Sequence, residues 1–205
     1  MTIPELLPLE AYESYPVGSP LQAALIFGVF FAVWDAVVSL LGGEHAPGII
    51  LTEMAGGLLA GLITGFIWFF AFRALMRRLL RRIYHGDPRI VPPAPAGSYD
   101  YRLAGNLMLS RSMSAGGHLY IGRETWTFVP HRRNLKRHQT PLSIPAAPPP
   151  AVEAVDVPLR GVTRILLKGL VRQVHVRTSS TTHRFVTPDP EAVAARLRDY
   201  LHAAS

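Results

Sequence analysis

Two long apolar stretches in the first part of the chain constrain its fold more than any other feature. Residues 21–41 contain one ionisable side chain, Asp35, and residues 49–72 contain only Glu53. As a helix, each stretch is long enough to cross a hydrocarbon core of about 30 Å. Seven residues separate the two stretches. They are therefore predicted to form an antiparallel transmembrane hairpin, in which each helix satisfies its own backbone hydrogen bonds.

The arginines after the second stretch predict the orientation of this hairpin. Arg77, Arg78, Arg81 and Arg82 form a basic juxtamembrane cluster, and the loop between the stretches has no Lys or Arg. Because basic residues next to spans are retained in the cytoplasm, we expect both termini to be cytoplasmic. The frequent Ala, Arg and Pro residues are typical of a GC-rich bacterial genome, which favours a bacterial inner (plasma) membrane. The cluster either only fixes this topology or also contacts anionic lipid headgroups.

A ridge of small residues runs along the second stretch. Gly57, Gly61 and Gly65 recur every four residues, which places them on one face of a helix where another helix can approach closely. Two occupants of this face are possible. Either the first helix of the same chain fills it, or a second copy packs there and gives an oligomeric assembly protein.

Asp35 and Glu53 are the two acidic residues inside the predicted spans. At 1.5 Å per residue both lie roughly 6–9 Å below the outer boundary of the membrane. If they face one another, they can share a proton or bind a cation, as in an accessory subunit of a transporter. The alternative is that both carboxylates reach the outer interface and stay hydrated.

Composition divides the whole chain into four segments. They are an N-terminal cytoplasmic segment (1–20), the hairpin with its juxtamembrane extension (21–85), a Pro-rich linker (86–98) and a separate domain (99–205). The linker is predicted to be a semi-extended spacer, because its Pro and Gly residues resist regular hydrogen-bonded structure. From residue 99 onward, fifteen Lys and Arg outnumber seven Asp and Glu. A surface with this net charge favours anionic partners.

Alternating apolar residues predict that the separate domain is rich in β-structure. A glycine pair at 116–117 is expected to turn the chain into two strands, around Leu119 and Phe128, with a turn at 122–124 between them. Further strands are predicted at residues 155–159, 162–167, 171–178 and 183–187.

Two other features complete the predicted fold. The proline-rich segment 143–154 is expected to be an extended loop, and Asp189 is expected to cap a C-terminal helix that begins at Pro190. The predicted fold class is an α-helical transmembrane hairpin followed by a small α+β domain, a β-sandwich or partly open barrel closed by the C-terminal helix.

The densest basic cluster of the domain follows the strand around Phe128. Arg132, Arg133, Lys136 and Arg137 lie within six residues, and arginine can grip a phosphate or carboxylate with two parallel hydrogen bonds. The alternative is a solvated loop that adds only general attraction to a membrane. Arg102 and Arg111 are further candidates for this site, and His131 and His138 are expected to adjust its charge near neutral pH.

Several classes of function are excluded by what the sequence lacks. There is no cysteine, and the eight histidines show no H-E-x-x-H or i, i+4 pair, so we expect no metal site and no cofactor. There is no P-loop, dinucleotide fingerprint or G-x-S-x-G motif, so we expect no enzyme activity. Trp126, Phe128 and Phe185 fit core positions better than base-stacking positions, so nucleic acid is not an expected partner.

Three stretches of the domain resemble a known family. They are GGHLYIGRETWTFVPHRRNL, VDVPLRGVTRI and VHVRTSSTTHRFVTPDPEAVAARL, within residues 99–203, and they are similar to the GRAM domain, a member of the pleckstrin-homology-like superfold. The resemblance implies a sheet sandwich or barrel closed by a C-terminal helix. It also implies a module that binds membranes, phosphoinositides or proteins, and no catalytic residues. The chain departs from the family pattern in its Pro-rich insertion at 143–154 and in its turn at 122–124.

These features together predict a membrane-anchored, non-enzymatic binding module. Its basic domain is expected to contact anionic lipid headgroups or an acidic protein partner at the cytoplasmic face. The alternatives are an oligomerising scaffold that uses the glycine ridge, and a transporter subunit that uses Asp35 and Glu53.

Overall fold

The computed structural model describes residues 3–13, 20–43, 46–110, 113–135, 140–157 and 172–204. Within them the chain forms two compact units. One unit contains the helical hairpin up to Arg77. The other contains the N-terminal segment together with the described residues from Arg78 onward.

The hairpin consists of two helices that are long and apolar enough to cross a membrane. Helix α2 runs over Pro20–Leu41 and helix α3 over Pro47–Tyr84. The mean hydropathy is 2.3 in the Ala23–Leu41 segment and reaches 1.9 in the most apolar part of α3, and most of their large apolar side chains are exposed. With 38 residues, α3 is about 57 Å long, so the juxtamembrane arginines continue the same helix beyond a hydrocarbon core of about 30 Å.

The glycine ridge of α3 faces α2 within the chain. Gly57, Gly61 and Gly65 are buried, and a methyl group at any of them would collide with α2. At Gly65, for example, the added carbon would lie 2.7 Å from the Cα of Ala24. The neighbouring Gly56 is exposed, with nothing within 4 Å of the position of a Cβ. Of the two expected occupants of the ridge, α2 is therefore the one that this structure contains.

The second unit is built on one antiparallel sheet of seven strands among the described residues, in the order β4-β3-β2-β1-β7-β6-β5. The strands are β1 (Tyr101–Met108), β2 (Ser114–Ile121), β3 (Thr125–Pro130), β4 (Leu142–Pro145), β5 (Ala151–Asp156), β6 (Arg172–Arg177) and β7 (Thr182–Val186). Their inward side chains form one core around Trp126, which is fully buried. This arrangement confirms the coarse prediction of an α+β domain after a helical hairpin.

Two details of the strand prediction are wrong. The glycine pair at 116–117 lies inside β2, where Gly117 pairs with Pro130 and the phenyl ring of Phe128 occupies the space a side chain would need. The segment 143–154 is not simply a loop, because it contains most of β4 and the first residues of β5. Both are terminal strands in the sheet order, where prolines are tolerated because one edge needs no ladder partner. The strand predicted at 162–167 and Leu159 lie outside the described residues.

The C-terminal helix α5 covers Pro190–Ala204, as the sequence predicts. The side chain of Asp189 accepts a hydrogen bond from the Ala192 amide at 3.0 Å, which is the geometry of an N-cap. Val193, Ala194 and Leu197 are buried in the core of the sheet.

The N-terminal segment belongs to the folded domain, which the sequence does not predict. A short helix α1 (Leu9–Glu13) follows an extended stretch, and Leu6, Leu7 and Tyr12 are part of the core. We call residues 3–13 the N-terminal strap. Full burial of a leucine stabilises a fold by about 1.5–3 kcal/mol, so the strap contributes substantially to the domain.

The segment 86–98 is attached to the domain instead of acting as a spacer. Val91 and Pro92 are buried, and the amide of Arg132 donates to the carbonyl of Ile90 at 2.9 Å. At the end of α3, Leu80 and Ile83 already pack against the domain core. The second unit therefore includes the strap, the last turns of α3 and the segment 86–98. It is larger than the domain expected at 99–205.

We predict that Gly61→Ala destabilises the hairpin by about 1–3 kcal/mol, because the added methyl group collides with the backbone of Phe27 and Gly28. Gly56→Ala is the matched control in the same helix. It should be neutral or stabilise by up to about 1 kcal/mol through helix propensity. Unfolding in detergent micelles measures both. Equal stability of the two variants would contradict the packing of α2 on this ridge.

Candidate functional site

The predicted basic cluster is only partly within the described residues. Arg132 and Arg133 lie on the short helix α4 (Arg132–Leu135), and both are exposed. Lys136 and Arg137 lie outside the described residues, as do Arg111 and His138. Two hydrogen bonds fix α4 in the domain. The backbone bond from Arg132 to Ile90 joins it to the segment 86–98. The Asn134 side-chain amide donates to the Gly116 carbonyl at 2.8 Å and joins it to β2.

The juxtamembrane arginines divide into two pairs. Arg81 forms an ion pair with Glu13 of the strap, and Arg82 forms one with Asp87 at 2.7 Å. Arg77 and Arg78 are exposed and have no carboxylate partner among the described residues. Arg77 and Arg78 are therefore the pair without an ion-pair partner in the described part of the chain, whereas Arg81 joins the end of α3 to the strap.

The strap is joined to β1 by backbone hydrogen bonds on both sides of Glu5. The amide of Leu6 donates to the carbonyl of Arg102 at 2.7 Å, and the amide of Arg102 donates to the carbonyl of Pro4 at 2.9 Å. β7 pairs with β1 only at Asn106 and Leu107. The strap thus occupies the part of the β1 edge that β7 leaves open.

Glu5 carries its charge into the interior of the domain. Its side chain is 3% exposed, and its Oε1 lies 2.8 Å from Nε of Arg102, whose side chain is 14% exposed. The N–H of Nε is not aligned for a hydrogen bond, so this contact is an ion pair. Burying two charges is costly, and removal of one partner leaves the other uncompensated in a medium of low dielectric.

Tyr12 supplies a second contact to the same carboxylate. Its hydroxyl donates to Oε2 of Glu5 at 3.1 Å and accepts a hydrogen bond from the amide of Ala104 at 3.2 Å. Burial, reinforced by the nearby carboxylate of Glu5, raises the pKa of Tyr12 far above its ordinary value. The Tyr12 hydroxyl is therefore neutral at physiological pH, and it both donates and accepts a hydrogen bond.

Two histidines extend this network towards α4. Nε2 of His118, which is 1% exposed, lies 3.4 Å from Oε1 of Glu5, and its Nδ1 lies 3.3 Å from Nε2 of His131. Because a carboxylate only accepts hydrogen bonds, it favours the His118 tautomer with the proton on Nε2, and Nδ1 then accepts from His131. We call Glu5, Tyr12, Arg102, His118 and His131 the buried polar network.

The expectation that His131 titrates near neutral pH is wrong. Burial of the ring, reinforced by the neighbouring His118, lowers the pKa of His131 from 6.5 to about 4. Its imidazole is therefore neutral at physiological pH. It contributes hydrogen bonds to the site and no positive charge.

The sequence identified Arg102 as a candidate without a location, and it missed Glu5 and Tyr12. Their partners lie on β1 and β2, far away along the chain, so no local pattern marks them. The one available signal was the apolar pair Leu6-Leu7, because leucine side chains are more often buried than exposed.

The two acidic residues of the hairpin have different environments. Asp35 is half-buried, and its carboxylate lies where a side chain of Gly57 would be. Glu53 is exposed on α3, one helical turn before Gly57. No group of three metal-ligating side chains occurs in the described residues.

Comparison with known proteins assigns no family. The sequence matches no protein-family model and no curated protein. The functional argument therefore rests on the charges and contacts described above.

Glu5→Gln should destabilise the chain by about 3–5 kcal/mol, because Arg102 then keeps a largely buried charge without its carboxylate. Glu10→Gln is the control, since Glu10 is an exposed acid of the same strap and should change stability by less than about 0.5 kcal/mol. Chemical denaturation of the full chain in detergent gives both free energies of unfolding. Similar values for the two variants would show that Glu5 is not held as described.

The lowered pKa of His131 predicts a pH dependence of stability. The unfolded chain binds a proton near pH 6.5 and the folded chain near pH 4, so stability is full above pH 6.5 and falls as the pH decreases towards 4. The slope should be less than about 1.4 kcal/mol per pH unit, because the ring is partly exposed. His131→Gln should flatten the unfolding free energy measured over this pH range. An unchanged slope would contradict the account.

Proposed function

We propose that the protein is an integral membrane, non-enzymatic binding module whose basic domain contacts anionic lipid headgroups at the cytoplasmic face of a bacterial inner membrane. The observation that carries this proposal is the pair Arg132 and Arg133. Both side chains are exposed, and neither has a carboxylate partner among the described residues. Basic residues near an anionic leaflet contribute about 1 kcal/mol each to membrane binding.

The position of these arginines in the chain supports a membrane ligand over a soluble one. Arg132 is bonded to Ile90, which follows the end of α3 by only six residues. Arg78 belongs to the same compact unit. Tethering therefore keeps the basic surface at a high effective concentration near lipid, so weak individual contacts are sufficient.

The strap supports the proposed topology. The strap and the residues after α3 pack into one unit, which supports a topology with both ends of the hairpin on the same side of a membrane. The positive-inside rule makes that side the cytoplasmic one, because the juxtamembrane arginines lie there.

The resemblance to the GRAM domain agrees with this reading. The described strands form two antiparallel meanders, β1 to β4 and β5 to β7, and α5 packs on the sheet core. The resemblance implies a sheet sandwich or barrel closed by a C-terminal helix, and the antiparallel sheet with a C-terminal helix packed on its core supports that proposal. We include membership of the pleckstrin-homology-like superfold in the proposal.

The test uses the full chain in lipid nanodiscs. Because the chain has no cysteine, Thr140→Cys provides one exposed site for a fluorophore close to α4. Nitroxide-labelled lipids should quench this fluorophore more strongly in discs that contain anionic lipid, and high salt should reduce the difference. Arg132→Ala with Arg133→Ala should weaken the approach by about 2 kcal/mol.

Arg123→Ala with Arg177→Ala provides a control that removes the same charge. These two arginines are exposed, and each already lies beside a carboxylate, that of Asp100 or Glu153. The control pair should keep the quenching of the parent chain. Quenching that is independent of anionic lipid would reject the headgroup proposal and make an acidic protein the leading partner.

A further inference from the structure

The second unit contains a cleft that is lined by residues following α3 and by Arg102 of the buried polar network. It has a volume of about 500 Å³. It is lined by His85, Gly86, Pro88 and residues 91–94, and by Ile3 of the strap, Arg102, Tyr120 and Arg132. None of its lining residues among the described parts of the chain is acidic. We call it the juxtamembrane cleft.

Arg102 presents hydrogen-bond donors to this cleft. Its Nε is paired with Glu5, and its Nη2 donates to the carbonyl of Tyr84 at 2.7 Å. These two contacts fix the orientation of the guanidinium group. Nη1 has no hydrogen-bond partner among the described residues, and the side chain lines the cleft. Gly86 makes this position accessible, since a Cβ there would lie 3.0 Å from Nη1.

Arg132 supplies the second guanidinium group. Its backbone amide is used by the bond to Ile90, but its side chain is exposed and lines the same cleft. His85 and Tyr120 also line the cleft, and each carries a polar group. Pro88, Pro92 and Pro93 line it without adding hydrogen-bond donors.

We propose that the juxtamembrane cleft is a phosphate-binding site with Arg102 and Arg132 as its two cationic contacts. A phosphate group has several oxygens that accept charge-assisted hydrogen bonds, and two guanidinium groups match it better than isolated surface charges do. Glu5 is a positioning residue, because it fixes Arg102 from the side opposite to the cleft. This inference rests on the proposed function in one respect, since Arg132 belongs to both sites.

The experiment measures phosphate binding by the full chain in nanodiscs of neutral lipid. Ala94→Cys places a fluorophore at an exposed position of the cleft wall. Inorganic phosphate is titrated in one arm, and in the other arm the discs contain phosphatidic acid, whose headgroup is a phosphate monoester. A saturable response to either probe is expected. A response in only the first arm assigns the site to free phosphate compounds, and a response in only the second assigns it to a lipid headgroup.

Variants separate a defined cleft from general attraction. Arg132→Gln should weaken the response about tenfold, which corresponds to one charge-assisted hydrogen bond. Arg102→Lys keeps a charge beside Glu5 but loses the guanidinium fork, so it should weaken binding by a similar factor. Arg177→Gln, which lies on β6 outside the cleft, is the control and should respond like the parent chain. Thermal unfolding establishes that each variant is folded.

The outcomes distinguish this inference from the proposed function. Arg133 does not line the cleft, so Arg133→Gln should weaken phosphate binding less than Arg132→Gln does. Equal losses for the two variants, or no saturable response in either arm, would overturn the cleft as a site. The two experiments can give opposite results. If the Ala94→Cys chain binds phosphate in neutral discs and the quenching of the Thr140→Cys chain does not depend on anionic lipid, the inference stands and the proposed function is rejected.

Discussion

The ion pair between Glu5 and Arg102 is the interaction on which the rest of the domain depends. Both side chains are largely removed from water, so each charge is stable only while the other is present. The carboxylate of Glu5 also accepts a hydrogen bond from the Tyr12 hydroxyl, and Nε2 of His118 lies close to it. These contacts offset the loss of hydration, and they also allow the flanking leucines of the strap to enter the core. If the pair is broken, a buried charge remains that no other described acidic residue can neutralise.

This pair links parts of the molecule that the sequence separates. Glu5 precedes the first helix of the hairpin, and Arg102 also binds the carbonyl of Tyr84 at the end of the second helix. One guanidinium group therefore contacts the segments at both ends of the hairpin and also lines the juxtamembrane cleft. A buried ionic contact is weak support for stability, but the loss of one partner leaves the other charge uncompensated. Here the ion pair joins the strap to β1.

The parts of the fold that follow from local patterns were predictable from the sequence. The two apolar helices and the capped C-terminal helix were predicted because their signals lie within single segments. The β2–β3 hairpin was found from alternating residues, although the glycines inside β2 were misread as a turn. β4 and residues 151–154 of β5 were missed because prolines suggested a loop, whereas residues 155–156 fall in the strand predicted at 155–159. Only the sheet order shows that both are terminal strands. Arg132 and Arg133 lie on the short helix α4 after the strand around Phe128, and their binding role stays a prediction.

The parts that depend on contacts between distant residues were not predictable. Nothing close to Glu5 in sequence indicates that it contacts Arg102 and His118, so residues 1–20 were predicted only as an N-terminal cytoplasmic segment separate from the domain. The attachment of the segment 86–98 to the domain was missed for the same reason, because its composition alone favours a spacer. The lowered pKa of His131 likewise depends on burial and on His118, neither of which can be inferred from the residues around it.

The most direct test of this account is amide hydrogen exchange at Leu6 in the full chain, embedded in lipid nanodiscs. The Leu6 amide donates to the carbonyl of Arg102 inside the domain, so its exchange should be slowed to a rate comparable with that of the Arg102 amide. Such protection would show that the strap is part of the folded domain. Exchange of Leu6 at the rate of an unstructured peptide, while the amides of β1 and β2 stay protected, would contradict it.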